Sequence, residues 1–148
     1  MREQPEPWQH FLLYDPDCPM NSGNEVCFQV VEDDLDMQLL IQLKLSADSR
    51  LRFCGAATNS TDAIALAKDI ERGVVILDHF IEGQIMGLQA APLLKAVAPD
   101  MPIILLTSHD LAIEVSREPA IDAYLRKSEI KHLLPTALRL LGIEPSVN

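Results

Sequence analysis

Acidic side chains stand in a tight group at Glu32, Asp33 and Asp34, in the stretch "VVEDDLD", directly behind an apolar run. Further along, single polar residues close three more apolar runs: Asp78 ends "VVILD", Thr107 and Ser108 end "IILLTS", and Lys127 follows "AYLR". Carboxylates crowded at one point repel one another and raise each other's pKa unless a cation sits among them. An all-oxygen donor set of this kind suits Mg²⁺, which keeps several waters and takes one or two carboxylates plus phosphate oxygens. A hydroxyl and an ammonium facing the metal would hold the remaining oxygens of a phosphoryl group. The chemistry these residue types suggest is metal-assisted handling of phosphate, provided that the chain brings them together.

Taken singly, each has a plainer explanation. Acids favour the start of a helix, an Asp after a strand is a common turn or cap residue, and Thr107 and Ser108 suit a cap. Lysines usually lie in water, and Tyr124 reads as an edge-strand aromatic. His79 and His109 flank the same region, but Mg²⁺ prefers oxygen, so they read as loop residues. Only the joint occurrence of these residues carries weight, and that depends on the elements between them.

Those elements alternate. "VCFQVV", "LRFCGAA", "VVILD", "PIILLTS" and "AIDAYLRK" read as strands, bounded by polar residues or turn formers. Between and after them, "LDMQLLIQLKLSAD" has Leu35, Leu39 and Leu43 at helical spacing, and "STDAIALAKDIERG" runs from a cap at Ser60 or Thr61 to Gly73. "GLQAAPLLKAVAPD", a short piece at "DLAIEVS", and "SEIKHLLPTALRLLG" complete five helices, the last capped by Ser128. Pro92 and Pro135 fall inside two of them and predict irregular backbone there. Strands separated by helices must pair in parallel, because a right-handed crossover returns the chain to the same end of the sheet. The expected fold is α/β: a doubly wound five-stranded parallel sheet in a three-layer α/β/α sandwich, flavodoxin-like with strand order 2-1-3-4-5. In such sheets ligands bind outside the carboxyl ends of the strands, which is where the candidate residues stand.

The totals are consistent with one domain. The 148 residues are 48% hydrophobic and 23% charged, ordinary for a globular chain with a sizeable core. A formal charge of -10 argues against direct nucleic-acid contact, since phosphate backbones require a basic face. Residues 1–24 read as a leader, partly extended or flexible, around the run "FLLY". Residues 25–143 read as the domain, and 144–148 as a tail. The start "MREQPEPWQH" lacks the basic and apolar parts of a secretory signal, and no apolar run approaches the roughly 18 residues of a membrane span, so a cytoplasmic location is expected. Cys18, Cys27 and Cys54 have no metal-ligand spacing, and their odd number favours reduced, buried thiols over a disulfide framework.

The ordered set "VVED", "VVILD", "ILLTS" and "AYLRK" resembles the receiver domain of response regulators in two-component signalling, as in the single-domain chemotaxis regulator. The likeness covers roughly residues 25–142, and Asp33, Asp78, Thr107 and Lys127 follow one another at 45, 29 and 20 residues, close to the family's spacing. The resemblance implies that Asp78 accepts a phosphoryl group from the phosphohistidine of a sensor histidine kinase or a histidine phosphotransfer protein. It implies Mg²⁺, or Mn²⁺, held by Asp33, Asp78 and the backbone carbonyl of Phe80, with Glu32 acting through a bound water. It makes Thr107 and Lys127 ligands of the phosphoryl oxygens, Lys127 pairing with Asp78 beforehand. Thr107 and Tyr124 become the switch, with a dimer or an output protein meeting the face of the fourth helix, fifth strand and fifth helix. Phe80 and His109 occupy positions that modulate water access, and bulky Phe80 is expected to slow hydrolysis of the acyl phosphate. Such a domain catalyses only its own phosphorylation and dephosphorylation and is not an enzyme in the usual sense.

Two departures stand out. The loop "DHFIEGQIMG" carries Glu82 where the family usually has Pro, and one extra residue before Gly87; Lys127 is followed by Ser128, where many members have Pro. Two rivals follow from other features. The unusual loop allows a degenerate receiver that binds a partner without being phosphorylated. "FLLYDPDCP" offers the D-x-D of haloacid-dehalogenase-like phosphatases at Asp15 and Asp17, but only Glu129 and Glu144 follow Lys127, leaving that metal site incomplete.

Overall fold

In the computed structural model, which describes residues 25–145, five parallel strands alternate with five helices. The strands are β1 (Val26–Val31), β2 (Leu51–Ala57), β3 (Gly73–Leu77), β4 (Ile103–Thr107) and β5 (Ala123–Arg126), in the order β2-β1-β3-β4-β5. The helices are α1 (Leu35–Leu45), α2 (Ser60–Lys68), α3 (Gly87–Val97), α4 (Ala112–Ser116) and α5 (Leu133–Leu141), with a 3-10 segment over Lys127–His132. This is the doubly wound sandwich expected from the alternation. The leader reading and the D-x-D at Asp15 and Asp17 lie outside the described residues.

The apolar strand runs are explained by burial on both faces. Cys27, Val31, Val75, Leu77, Ile103 and Leu105 point into one core, closed by Ala63, Leu66 and Ala67 of α2 and Ala91 and Leu94 of α3. Val30, Ile76, Ile104 and Leu106 point into the other, closed by Ile41 and Leu45 of α1 and Leu133, Ala137 and Leu138 of α5. Successive side chains on a strand face opposite ways, so a continuous apolar run supplies both layers.

Local details depart from expectation in several places. Leu35, Leu39 and Leu43, the row that marks α1 as a helix, are 49%, 56% and 64% exposed, while Gln38, Ile41 and Leu45 face the sheet. Asn59, not Ser60 or Thr61, caps α2, its side-chain oxygen accepting from the Asp62 amide at 2.9 Å. Gly73 does not end α2 but opens β3. α3 continues through Pro92, and Pro135 stands in the first turn of α5, where a missing N–H costs least. Ser128 caps nothing there: the chain after β5 turns through the 3-10 segment, and Glu129 accepts from the Arg126 amide at 3.1 Å.

The thiol reading is also corrected. Cys27 on β1 and Cys54 on β2 form a disulfide with Cα atoms 5.5 Å apart. Their separation of 27 residues in sequence gave no hint of this, because adjacency comes from parallel pairing across the α1 crossover.

Candidate functional site at the carboxyl ends of the strands

β1 ends at the acidic group. The Glu32 amide donates to Ala57 O at 2.9 Å, a last rung between β1 and β2 that seats this residue at the sheet's edge. Asp34 then caps α1, its Oδ1 accepting from the Asp36 amide at 2.9 Å and the Met37 amide at 3.5 Å. Gln38, buried on the inner face of α1, reaches back to donate to the Glu32 carbonyl at 2.6 Å. The three acids therefore divide: Asp34 serves the helix, Glu32 is held inward, and Asp33 lies exposed at the mouth.

β3 delivers Asp78, whose amide donates to Val31 O at 2.9 Å, so that it sits beside the end of β1. One carboxylate oxygen accepts from the His79 amide at 2.7 Å; the other accepts from Lys127 Nζ at 3.0 Å. The same ammonium donates to Glu32 Oε1 at 2.6 Å. Lys127 thus joins two carboxylates that are 1% and 6% exposed, at the ends of strands that meet in the centre of the sheet.

Close backbone approach makes the third wall. The Gly87 amide donates to His79 O at 2.7 Å, and a Cβ at Gly87 would lie 2.2 Å from Asp78 O, so no other residue fits without moving the Asp78 backbone. The intervening loop crosses to β2, the Glu82 amide donating to Thr58 O at 2.8 Å, and turns at Gly83 with φ +96°. His79 Nδ1 accepts from the Leu88 amide at 3.2 Å, which fixes that ring at the start of α3. Phe80, 45% exposed, lies between two imidazoles, its ring centroid 4.8 Å from His79 and 4.4 Å from His109.

β4 and β5 supply the far side. Thr107 is fully buried, and its hydroxyl accepts a long bond from the His109 amide at 3.5 Å. The loop that follows is strapped to β5: Tyr124 OH donates to His109 O and accepts from the Leu111 amide, both at 2.9 Å, and Arg126 donates to Ser108 O at 2.8 Å. Glu32, Asp33, Asp78, Phe80, Thr107, His109 and Lys127 line one open pocket of about 260 Å³. Tyr124 stands outside it, under the loop. The contributions of Gln38, Arg126 and the His79 ring were missed from sequence; a polar residue in the inward row of Gln38, Ile41 and Leu45 was the available signal.

The electrostatics follow from burial. Burial, reinforced by the neighbouring Asp78 charge and opposed by Lys127, pushes the Glu32 carboxyl up to about 7. Burial works to lower the Lys127 ammonium, but its bonds to Glu32 and Asp78 prevail and hold it above the usual lysine range. Burial also lowers His79. Among the described residues no three acidic, His or Cys side chains come together closely enough to enclose a metal ion. Apart from the His109 ring, the groups facing the pocket that could bind a cation are oxygens, with Asp33 exposed and a pocket wide enough for water, which fits Mg²⁺ with most of its hydration shell and not a metal that needs a protein cage.

Comparison with known proteins agrees with this arrangement. The family model described as "Response regulator receiver domain" matches residues 28–139. No curated protein sequence matches the chain. Among solved structures, the response regulator domain of Thermotoga maritima CheB superposes with a TM-score of 0.70 at 17% identity, covering 82% of this chain and 99% of that one. The receiver domain of Francisella response regulator 1452 gives 0.69 at 20% identity, covering 80% and 98%. The receiver domain of the Pseudomonas aeruginosa PAO1 sensor histidine kinase PA1611, solved with a magnesium ion in its active-site cleft, gives 0.68 at 20% identity, again covering 80% and 98%. At these identities the superpositions speak for the fold, in which the described residues contain no helix long and apolar enough to cross a membrane. The family match spans most of the sheet and all four strand ends that form the pocket, and the chain belongs to the response regulator receiver domain family.

Proposed function

We propose that this chain is a phosphoacceptor receiver in which Asp78 takes a phosphoryl group from a histidine kinase or histidine phosphotransfer protein. The observation that carries the reading is the single ammonium of Lys127, bonded at 2.6 and 3.0 Å to the buried carboxylates of Glu32 and Asp78. A buried ionic cluster at a strand end is costly to the fold, and its position in a pocket gives it a use beyond stability.

In this reading Asp33, Asp78 and the Phe80 carbonyl hold Mg²⁺ or Mn²⁺, with Glu32 acting through a bound water. The cation supplies charge to the oxygens of the transferring group. Asp78 presents its oxygen as the nucleophile, and the new O–P bond forms as the donor's N–P bond breaks. Lys127 then moves its bond from the Asp78 carboxylate to a phosphoryl oxygen, and the Thr107 hydroxyl donates to another. Movement of the Thr107 loop loosens its ties to Tyr124 and Arg126, and the face of α4, β5 and α5 meets its partner in the changed form, as an output protein or a second copy. Residues 25–143 are the functional unit, acting in the cytoplasm on its own phosphorylation and dephosphorylation and not as a turnover enzyme. Incubation with Mg²⁺ and acetyl phosphate or phosphoramidate is expected to add one phosphoryl group by mass spectrometry. No addition, or an addition that survives Asp78→Ala, would leave a binding module or another nucleophile instead.

A further inference from the structure

We propose that Cys27 and Cys54 are a reversible redox pair that clamps the edge strand β2 onto β1. β2 is the outermost strand next to β1, and among the described residues no strand pairs with its second edge. Its pairing with β1 slips where Phe28 opposes Phe53 but Gln29 opposes Gly55, and the residue left over at that irregularity is Cys54. The disulfide therefore bridges the point where the ladder holds the two strands least regularly. Local opening of this edge strand away from β1 would give an exchanging thiol access to sulfurs whose residues are only 1% exposed in the closed fold.

Both oxidation states are accommodated. In the disulfide state neither sulfur needs a hydrogen-bond partner; Cys54 Sγ there lies 3.5 Å from Arg52 O, which would accept its S–H once the bond is reduced. The co-reactant is a low-molecular-weight disulfide such as oxidised glutathione. One cysteine thiolate attacks it, releasing one glutathione thiolate and forming a mixed disulfide. The second attacks the protein sulfur of that bond and releases the other. Two protein thiols and one small disulfide thus become one protein disulfide and two small thiols, with the two cysteine protons lost to solvent or to the released thiolates. In reducing compartments protein disulfides are usually transient and redox-sensing, which is the behaviour proposed for this pair.

The test uses the full chain in a Cys18→Ser background, so that only this pair reports. After equilibration with oxidised glutathione and unfolding in iodoacetamide, no cysteine should be alkylated; after dithiothreitol, two should be. The oxidised form is expected to melt on the order of 10 °C above the reduced form, the size that closing a loop of this length confers on a domain of this size. Cys54→Ser and Cys54→Ala should each melt like the reduced protein and ignore reductant. Two alkylated cysteines after oxidation, or equal melting of the two forms, would overturn the proposal. Neither readout involves Asp78, so the clamp stands or falls separately from phosphorylation.

Discussion

The two halves of the pocket are built on different principles. On the side of β1 and β3 the walls are charged and inward: Glu32 and Asp78 are buried, and Lys127 reaches across the sheet to both. On the side of β4 and β5, neutral bonds from Tyr124 and one cationic bond from Arg126 hold the backbone of a loop whose α4 has no buried residue. A charged cluster in a low dielectric is stiff, because moving one member strands the others. A loop held by three bonds to its backbone can be released at a cost of about 1 kcal/mol for each neutral bond. The first half is suited to chemistry and the second to movement.

Breaking the charged half should have the largest consequence. Lys127→Met is expected to cut the rate of Asp78 labelling by acetyl phosphate by about 10²-fold or more, the usual loss when a donor to transition-state oxygens is removed. A loss of only a few-fold in single-turnover kinetics would mean that Lys127 is structural. The next effect is in pH. With the Glu32 carboxyl raised to about 7, lowering the pH from about 8 to about 6 takes it from mostly ionised to mostly protonated and should weaken Mg²⁺ binding about tenfold by calorimetry. The sign for metal-free stability is opposite: this group stabilises the fold fully below its unfolded value of 4.5, and that contribution is lost as the pH rises through about 7. A flat affinity profile would show that Glu32 does not contribute to the cation site.

Smaller effects sharpen the contrast where the two halves meet and within the moving half. Phe80→Asn removes the ring between His79 and His109 and should speed loss of the phosphoryl group several-fold; an unchanged dephosphorylation rate would dismiss Phe80 as a shield. Tyr124→Phe deletes the bond to His109 O and the acceptor for the Leu111 amide, and should cost about 2 kcal/mol. Its signature is faster hydrogen exchange at Leu111 with labelling of Asp78 kept within a few-fold. Equal protection of that amide in both proteins would mean that Tyr124 does not restrain the loop.

Much of this was legible because the parallel sheet maps order in sequence onto place in space. Asp33, Asp78, Thr107 and Lys127 each follow an apolar run, and a topology that brings strand ends together brings them together as well. Residues whose role depends on approach across the sheet were not legible. The Cys27–Cys54 bond requires knowing that β2 lies beside β1, and the dual bond of Lys127 requires its reach over β4. Helix faces misled for a related reason: the leucines of α1 keep helical spacing, yet a polar residue, Gln38, takes the inner row because the Glu32 carbonyl needs a donor. The turn after β5 and the helix beyond it look like one helix in the sequence, because apolar periodicity does not separate a 3-10 segment from the α-helix that follows it.

The loop beyond Asp78 holds two glycines that an experiment in sequence space would treat very differently. A library randomised at Gly83 should return Gly with some Asn and Asp, since a side chain there meets no atom within 4 Å and only the positive φ selects. The same library at Gly87 should return glycine alone, because the obstacle is the Asp78 carbonyl itself. Codon 87 therefore identifies, in any pool of variants, the chains that still hold the Asp78 backbone in place.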